Sequence, residues 1–93
     1  MNQLGLFGSP VQCDGFVSLL HECIAEGHSD ATLIPWVDCD AEGAIAAVRS
    51  ALEAAGWVWN DRAKQLERGG WYVWFRSQGR LSSPIAQWNR LGV

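Results

Sequence analysis

The 93-residue sequence predicts an α+β domain, with a small, mainly antiparallel sheet of about three strands packed with two to three helices. Two observations carry this expectation. Residues 41–55 are rich in alanine and repeat apolar side chains at helical spacing, whereas Trp57-Val58-Trp59 and Trp71-Tyr72-Val73-Trp74-Phe75 are strand formers that alternate with period two. The expected order is an N-terminal arm over residues 1–12, then a single domain over residues 13–93 built as α-β-α-β-β-α.

In the first helix Asp14 can serve as cap, with Phe16, Leu20, Cys23 and Ile24 on one apolar stripe and Gly27 as the stop. Ala31 to Val37, ATLIPWV, is rich in β-formers, but Pro35 has no N–H to give a ladder, so the segment reads as an edge or short strand. Asp40 is placed to cap the helix Ala41 to Ala55, in which Ile45, Val48, Leu52 and Ala55 share a face and Gly56 takes the C-terminal capping position. The two aromatic strands follow, joined by the polar NDRAKQLERGG, where Ala63 to Arg68 is expected to hold a helical turn. Ser83-Pro84 reads as a cap and first helical position, and Ile85, Trp88 and Leu91 at helical spacing predict a short closing helix.

A chain of this length can bury only about 60–65 % of its unfolded surface, so a modest stability on the order of 5–10 kcal/mol is expected. No run approaches the roughly 18 apolar residues of a membrane span, and the N-terminus lacks a basic region followed by a long apolar one. The expectation is a cytoplasmic protein with no membrane contact. Cys13, Cys23 and Cys39 are odd in number and widely spaced, which fits reduced thiols rather than a disulfide framework. Up to Val48 there are seven acids and no Lys or Arg, while from Arg49 onward seven Lys and Arg face three acids. Such a division marks either a nucleic-acid face or two halves that attract each other.

Six tryptophans in a chain this short call for placement. In strand 71–76, Trp71, Val73 and Phe75 point one way and Tyr72, Trp74 and Arg76 the other. If helices cover both faces, the aromatics are core. If one face is open, Tyr72, Trp74 and Arg76, with Arg62, Lys64, Arg68 and Arg80 nearby, would make a stacking platform for single-stranded nucleic acid or a protein-binding face rich in Trp and Arg.

Metal and catalytic readings find little support in the residues. A structural zinc needs four converging ligands, commonly from close pairs such as C-x-x-C, and His21 and Cys23 would point roughly 200° apart on a helix. There is no nucleophile elbow, glycine-rich phosphate cradle or paired-carboxylate motif, so neither catalytic residues nor a cofactor are expected. Asp38 and Asp40 stand where capping alone would place them.

The sharpest signal is QLGLF on the arm, since Leu4, Leu6 and Phe7 are costly residues to leave in water. Gln3-Leu4-Gly5-Leu6-Phe7 resembles the peptide by which bacterial replication and repair proteins dock onto the DNA polymerase sliding clamp: Gln, an aliphatic residue, a small or polar residue, then Leu-Phe. The resemblance covers these five positions only. It implies that Gln3 hydrogen-bonds at the mouth of the clamp pocket, Leu4 enters a small subsite, and Leu6 and Phe7 fill the main apolar pocket. Two functional classes follow: a small non-enzymatic adaptor or inhibitor that docks on the clamp, or a binding or inhibitor protein of phage, plasmid or gene-cassette type whose arm is structural.

Overall fold

The computed structural model describes residues 10–34, 40–79 and 82–92, the first four of them by backbone alone. The QLGLF segment, Trp36, Asp38, Cys39 and Arg80 lie outside the described residues. The architecture is α+β in two layers: helices α1 (Pro10–Ala25) and α2 (Ala41–Ala54) lie against a sheet of β1 (Asp30–Leu33), β2 (Val58–Asn60), β3 (Gln65–Arg68), β4 (Trp71–Arg76) and β5 (Ile85–Arg90). The strand order is β1-β5-β4-β3-β2 and every neighbouring pair is antiparallel. Strands β2 to β5 form a meander, β1 joins the free side of β5, and α2 carries the chain from one edge of the sheet to the other.

Local chemistry sets most of these boundaries. Asp40 Oδ1 accepts the Gly43 N–H at 2.9 Å, which satisfies one of the amide donors left over at the start of α2. Beyond that helix the Gly56 N–H bonds the Glu53 carbonyl at 3.1 Å and the Trp57 N–H bonds the Leu52 carbonyl at 3.0 Å, with Gly56 at φ +99°, a conformation open to glycine. Helix α1 closes with the same pair of bonds, Gly27 N–H to Ile24 and His28 N–H to Cys23. Between β3 and β4 the pair Arg68 and Trp71 encloses Gly69-Gly70, both at positive φ, which is the two-residue turn whose twist matches paired strands.

The core lies between the helices and one face of the sheet. In register across the meander, Leu66 stands opposite Val73 and Val73 opposite Trp88, and Phe75 stands opposite Ala86. Phe16 and Leu20 from α1 and Ala44, Val48 and Leu52 from α2 pack on that row. Trp88 is 1 % exposed; its ring meets Phe16 edge to face at 6.2 Å between centroids, and its indole N–H donates to the His28 carbonyl at 3.2 Å.

Several expectations are corrected. The last element is strand β5 and not a helix, because its inward side chains Ala86 and Trp88 alternate with Gln87 and Asn89 and its backbone is taken up by β1 and β4 on either side. Residues 63–68 hold no helical turn. Asn60 instead organises a tight turn, accepting the Arg62 and Ala63 N–H groups on its side chain and the Lys64 N–H on its carbonyl, and β3 begins at Gln65. Among the described residues the sheet accordingly has five strands where about three were expected, with two helices beside it. Helix α1 starts at Pro10, a residue suited to a first turn because its missing N–H needs no partner there, so Asp14 sits inside the helix. Strand β1 is an edge strand as expected but ends at Leu33; the Ile34 N–H then bonds the Pro84 carbonyl, and residues 35–39 lie outside the described residues.

Trp88→Ala removes the largest fully buried side chain and should lower the unfolding free energy by about 3–5 kcal/mol, while Trp74→Ala, on the other face of the sheet, should cost about 1 kcal/mol. Urea unfolding of the two variants measures this, and equal losses would contradict the one-sided core.

Candidate functional site

Alternation along each strand and pairing between strands decide which side chains share the face turned away from the helices. Tyr72 stands between Glu67 and Asn89, Trp74 opposite Gln87, and Arg76 opposite Ile85, which in turn faces Leu33 of β1; Val58 faces Glu67 at the other edge. None of the described elements packs over this face. Tyr72 and Trp74 are half-buried among their neighbours, Arg76 and Gln87 are exposed, and Val58 and Leu33 are 67 % and 56 % exposed. A shallow hollow of about 210 Å³ lies at the β1 edge, lined by Ala31, Thr32, Leu33 and Ile85.

The structure divides the basic residues singled out in the sequence. Arg76 is on the open face. Arg62 and Lys64 are in the β2–β3 turn, which leaves the sheet at the end where Arg76 stands, since Leu66 is level with Val73 and the two strands run in opposite directions. Lys64 is held by Asp61 at 3.1 Å. That contact, a hydrogen bond from the Trp59 indole and the charges of Lys64 and Arg49 together hold the Asp61 carboxyl below the usual range. Arg68 belongs to the helix side: it shares a face with Trp71, and a methyl group on Gly56 would stand 3.4 Å from its Nε. Arg80 is outside the described residues.

Residues that the sequence reading left out complete the face. Glu67 Oε2 accepts from Asn60 Nδ2 at 3.0 Å and from Gln65 Nε2 at 2.8 Å, so its carboxylate is held in an amide network on the sheet surface. Gln87 and Asn89 flank Trp74 and Tyr72 from β5, and the Ser29 hydroxyl donates to Asn89 Oδ1. The signal that could have found them was the alternation of Ala86 and Trp88 with polar neighbours.

The other tryptophans among the described residues are spent on the fold. The Trp57 indole N–H donates to His21 Nε2 at 3.1 Å with the rings stacked at 18°, Arg49 lies 4.0 Å over the Trp59 ring, and Arg90 lies 5.2 Å over Trp71. Partial burial first, and the carboxylates of Asp30, Glu26 and Glu22 next, push the Cys23 thiol up, favouring its protonated form. A cavity of about 450 Å³ opens at the start of α2, with Asp40, Ala41, Glu42 and Ser77 in its lining. Among the described residues no three His, Cys, Asp or Glu side chains converge as metal ligands, and no helix is long and apolar enough to cross a membrane.

Compared with models of protein families, with curated proteins and with solved structures, the chain matches none.

His21 carries a pH dependence. Burial first and the nearby Arg68 charge second lower its pKa below the ordinary histidine value, and the Trp57 bond requires an unprotonated Nε2. The unfolded chain therefore binds this proton more readily than the folded one. The contribution is fully present above about pH 6.5 and is lost as pH falls toward the lowered value. Urea midpoints between neutral and mildly acid pH should fall more steeply for the native chain than for His21→Gln, and parallel curves would contradict this reading.

Proposed function

We propose that this chain is a small, non-enzymatic, cytoplasmic interaction protein that docks on the bacterial DNA polymerase sliding clamp through Gln3, Leu4, Leu6 and Phe7, with the folded domain as its cargo. One observation carries the proposal: Gln3-Leu4-Gly5-Leu6-Phe7 fits the clamp-binding pattern at every position. A peptide this short gains affinity from a few anchors that enter preformed apolar pockets, with one polar group to fix its register. Leu6 and Phe7 could each contribute about 1.5–3 kcal/mol by burial, which corresponds to micromolar binding at best. Only Gly8 and Ser9 separate Phe7 from Pro10, the first residue of α1, so a docked peptide would hold the domain within roughly 10 Å of the clamp surface. Cargo on so short a tether would act as an adaptor or as an obstacle to other clamp partners.

The open sheet face favours a second reading, that of a small inhibitor of the kind mobile elements carry, which covers a target with its aromatic face while its arm is structural. Amide exchange separates the two. Protection of the Leu4 to Phe7 amides in the free protein fits the structural arm, and fast exchange there fits docking.

Titration of purified clamp with the native chain should give micromolar binding, reduced at least tenfold in the double variant Leu6→Ala, Phe7→Ala, while Trp74→Ala leaves it unchanged. Equal binding by the native chain and the double variant, or none by either, contradicts clamp docking.

A further inference from the structure

The open face differs from the rest of the molecule in what its side chains lack. Among the described residues Trp57, Trp59 and Trp88 each place the indole N–H in a hydrogen bond, and Trp71 lies beneath Arg90. Trp74 has neither kind of partner among the described residues, and the Tyr72 ring beside it has none there either. Arg49, Arg90 and Lys64 are each held by a ring or a carboxylate, whereas the guanidinium groups of Arg76 and Arg62 have no partner among the described residues. Arg68, on the helix side, likewise has no such partner among the described residues, but these four groups stand together. Tyr72, Trp74 and Arg76 follow one another at alternate positions of β4, and Arg62 stands in the turn at the Arg76 end of the sheet.

Their arrangement matches the chemistry of an extended polyanion with flat apolar faces. Tyr72 and Trp74 are separated by two residues, about 6.8 Å, which is twice the roughly 3.4 Å rise between stacked bases in a duplex strand. Rings at that spacing can each meet one base of an extended single strand. The Gln87 amide beside Trp74 can both donate to and accept from exposed base edges, and the Asn89 amide beside Tyr72 can donate, its Oδ1 being taken by the Ser29 hydroxyl and the Arg90 N–H. The acid on this face, Glu67, stands opposite Tyr72 with its carboxylate engaged by the Asn60 and Gln65 amides, while Arg76 and Arg62 place positive charge beyond Trp74.

We propose that this face binds single-stranded nucleic acid, with two successive bases stacked on Trp74 and Tyr72 and the backbone phosphates held by Arg76 and Arg62. The site has no need of the clamp-docking segment, so it stands or falls apart from that reading. Arg68, on the helix side of the sheet, takes no part in it.

The test is anisotropy of a fluorescein-labelled oligothymidylate of about a dozen nucleotides, within the usual footprint of such platforms, titrated with the full chain at low salt. Binding should appear and weaken with salt, log K falling against log salt with a slope of about −1.4 for two phosphate contacts. Trp74→Ala should weaken it roughly 5- to 150-fold while Trp74→Phe retains most of it, because the ring face does the binding. Arg76→Gln should reduce the magnitude of the slope by about 0.7, and Arg49→Gln, an equal charge change on α2, should leave binding unaltered. No anisotropy change at low salt overturns the proposal, as do equal losses in Arg76→Gln and Arg49→Gln or equal affinity for a duplex of the same length. Self-association of the native chain that Trp74→Ala abolishes and the oligonucleotide does not compete with would assign the face to a second copy, and overturns it as well.

Discussion

Trp88 is the side chain that joins the two layers. It sits in β5 with Val73 on one side and Asp30 on the other, its ring edge meets Phe16 of α1, and its indole N–H reaches the His28 carbonyl just beyond the cap of α1. One residue thereby fixes where α1 ends, where β1 begins and which face of the sheet is buried. The hydrogen bond alone is worth about 0.5–1.5 kcal/mol, less than burial of the ring supplies, but it orients the ring between the sheet and α1.

Once that face is committed, period-two geometry decides the rest. Leu66, Val73 and Ala86 must turn toward the helices with Trp88, and Glu67, Tyr72, Trp74 and Gln87 must turn away. Both helices pack on the same side, so among the described residues no element covers the second face and the aromatics there meet only their strand neighbours. The uneven use of tryptophan follows from this. Trp57, Trp71 and Trp88 are core, Trp59 is pinned between Arg49 and Asp61, and Trp74 is left with its ring open. Asn60, Gln65, Gln87 and Asn89 break up the apolar area of this face with polar side chains.

Helix α2 was legible from sequence because every local signal agreed: a capping Asp40, an alanine-rich body with Val48 and Leu52 on one face, and Gly56 beyond the end. The α+β class and the two faces of β4 were legible for the same reason. Strand β5 was not. Ile85, Trp88 and Leu91 fit a helical spacing as well as Ala86 and Trp88 fit a strand, and the choice is made by pairing with β1 and β4, which no local window contains. Ser-Pro precedes both β5 and α1, and it marks a helix start in the second case and a strand start in the first. Strand β3 was hidden because Gln65-Leu66-Glu67-Arg68 carries a single apolar residue. Missing β3 also misplaced Arg68: once Leu66 is known to point inward, parity sends Arg68 to the same side. The Tyr72, Trp74 and Arg76 row was readable because it lies within one strand, while its neighbours Gln87, Asn89 and Gln65 come from the two strands the local signals concealed.

The claim that one face of the sheet is core and the other is available can be tested by hydrogen exchange of the indole N–H groups, followed by NMR on the native chain with resonances assigned from single Trp→Phe variants. The account predicts slow exchange at Trp57 and Trp88, whose donors are held by His21 and by the His28 carbonyl, and exchange at Trp74 close to that of a free indole. Protection of Trp74 comparable to that of Trp88 would contradict it, because some part of the molecule would then already occupy the face that binding requires.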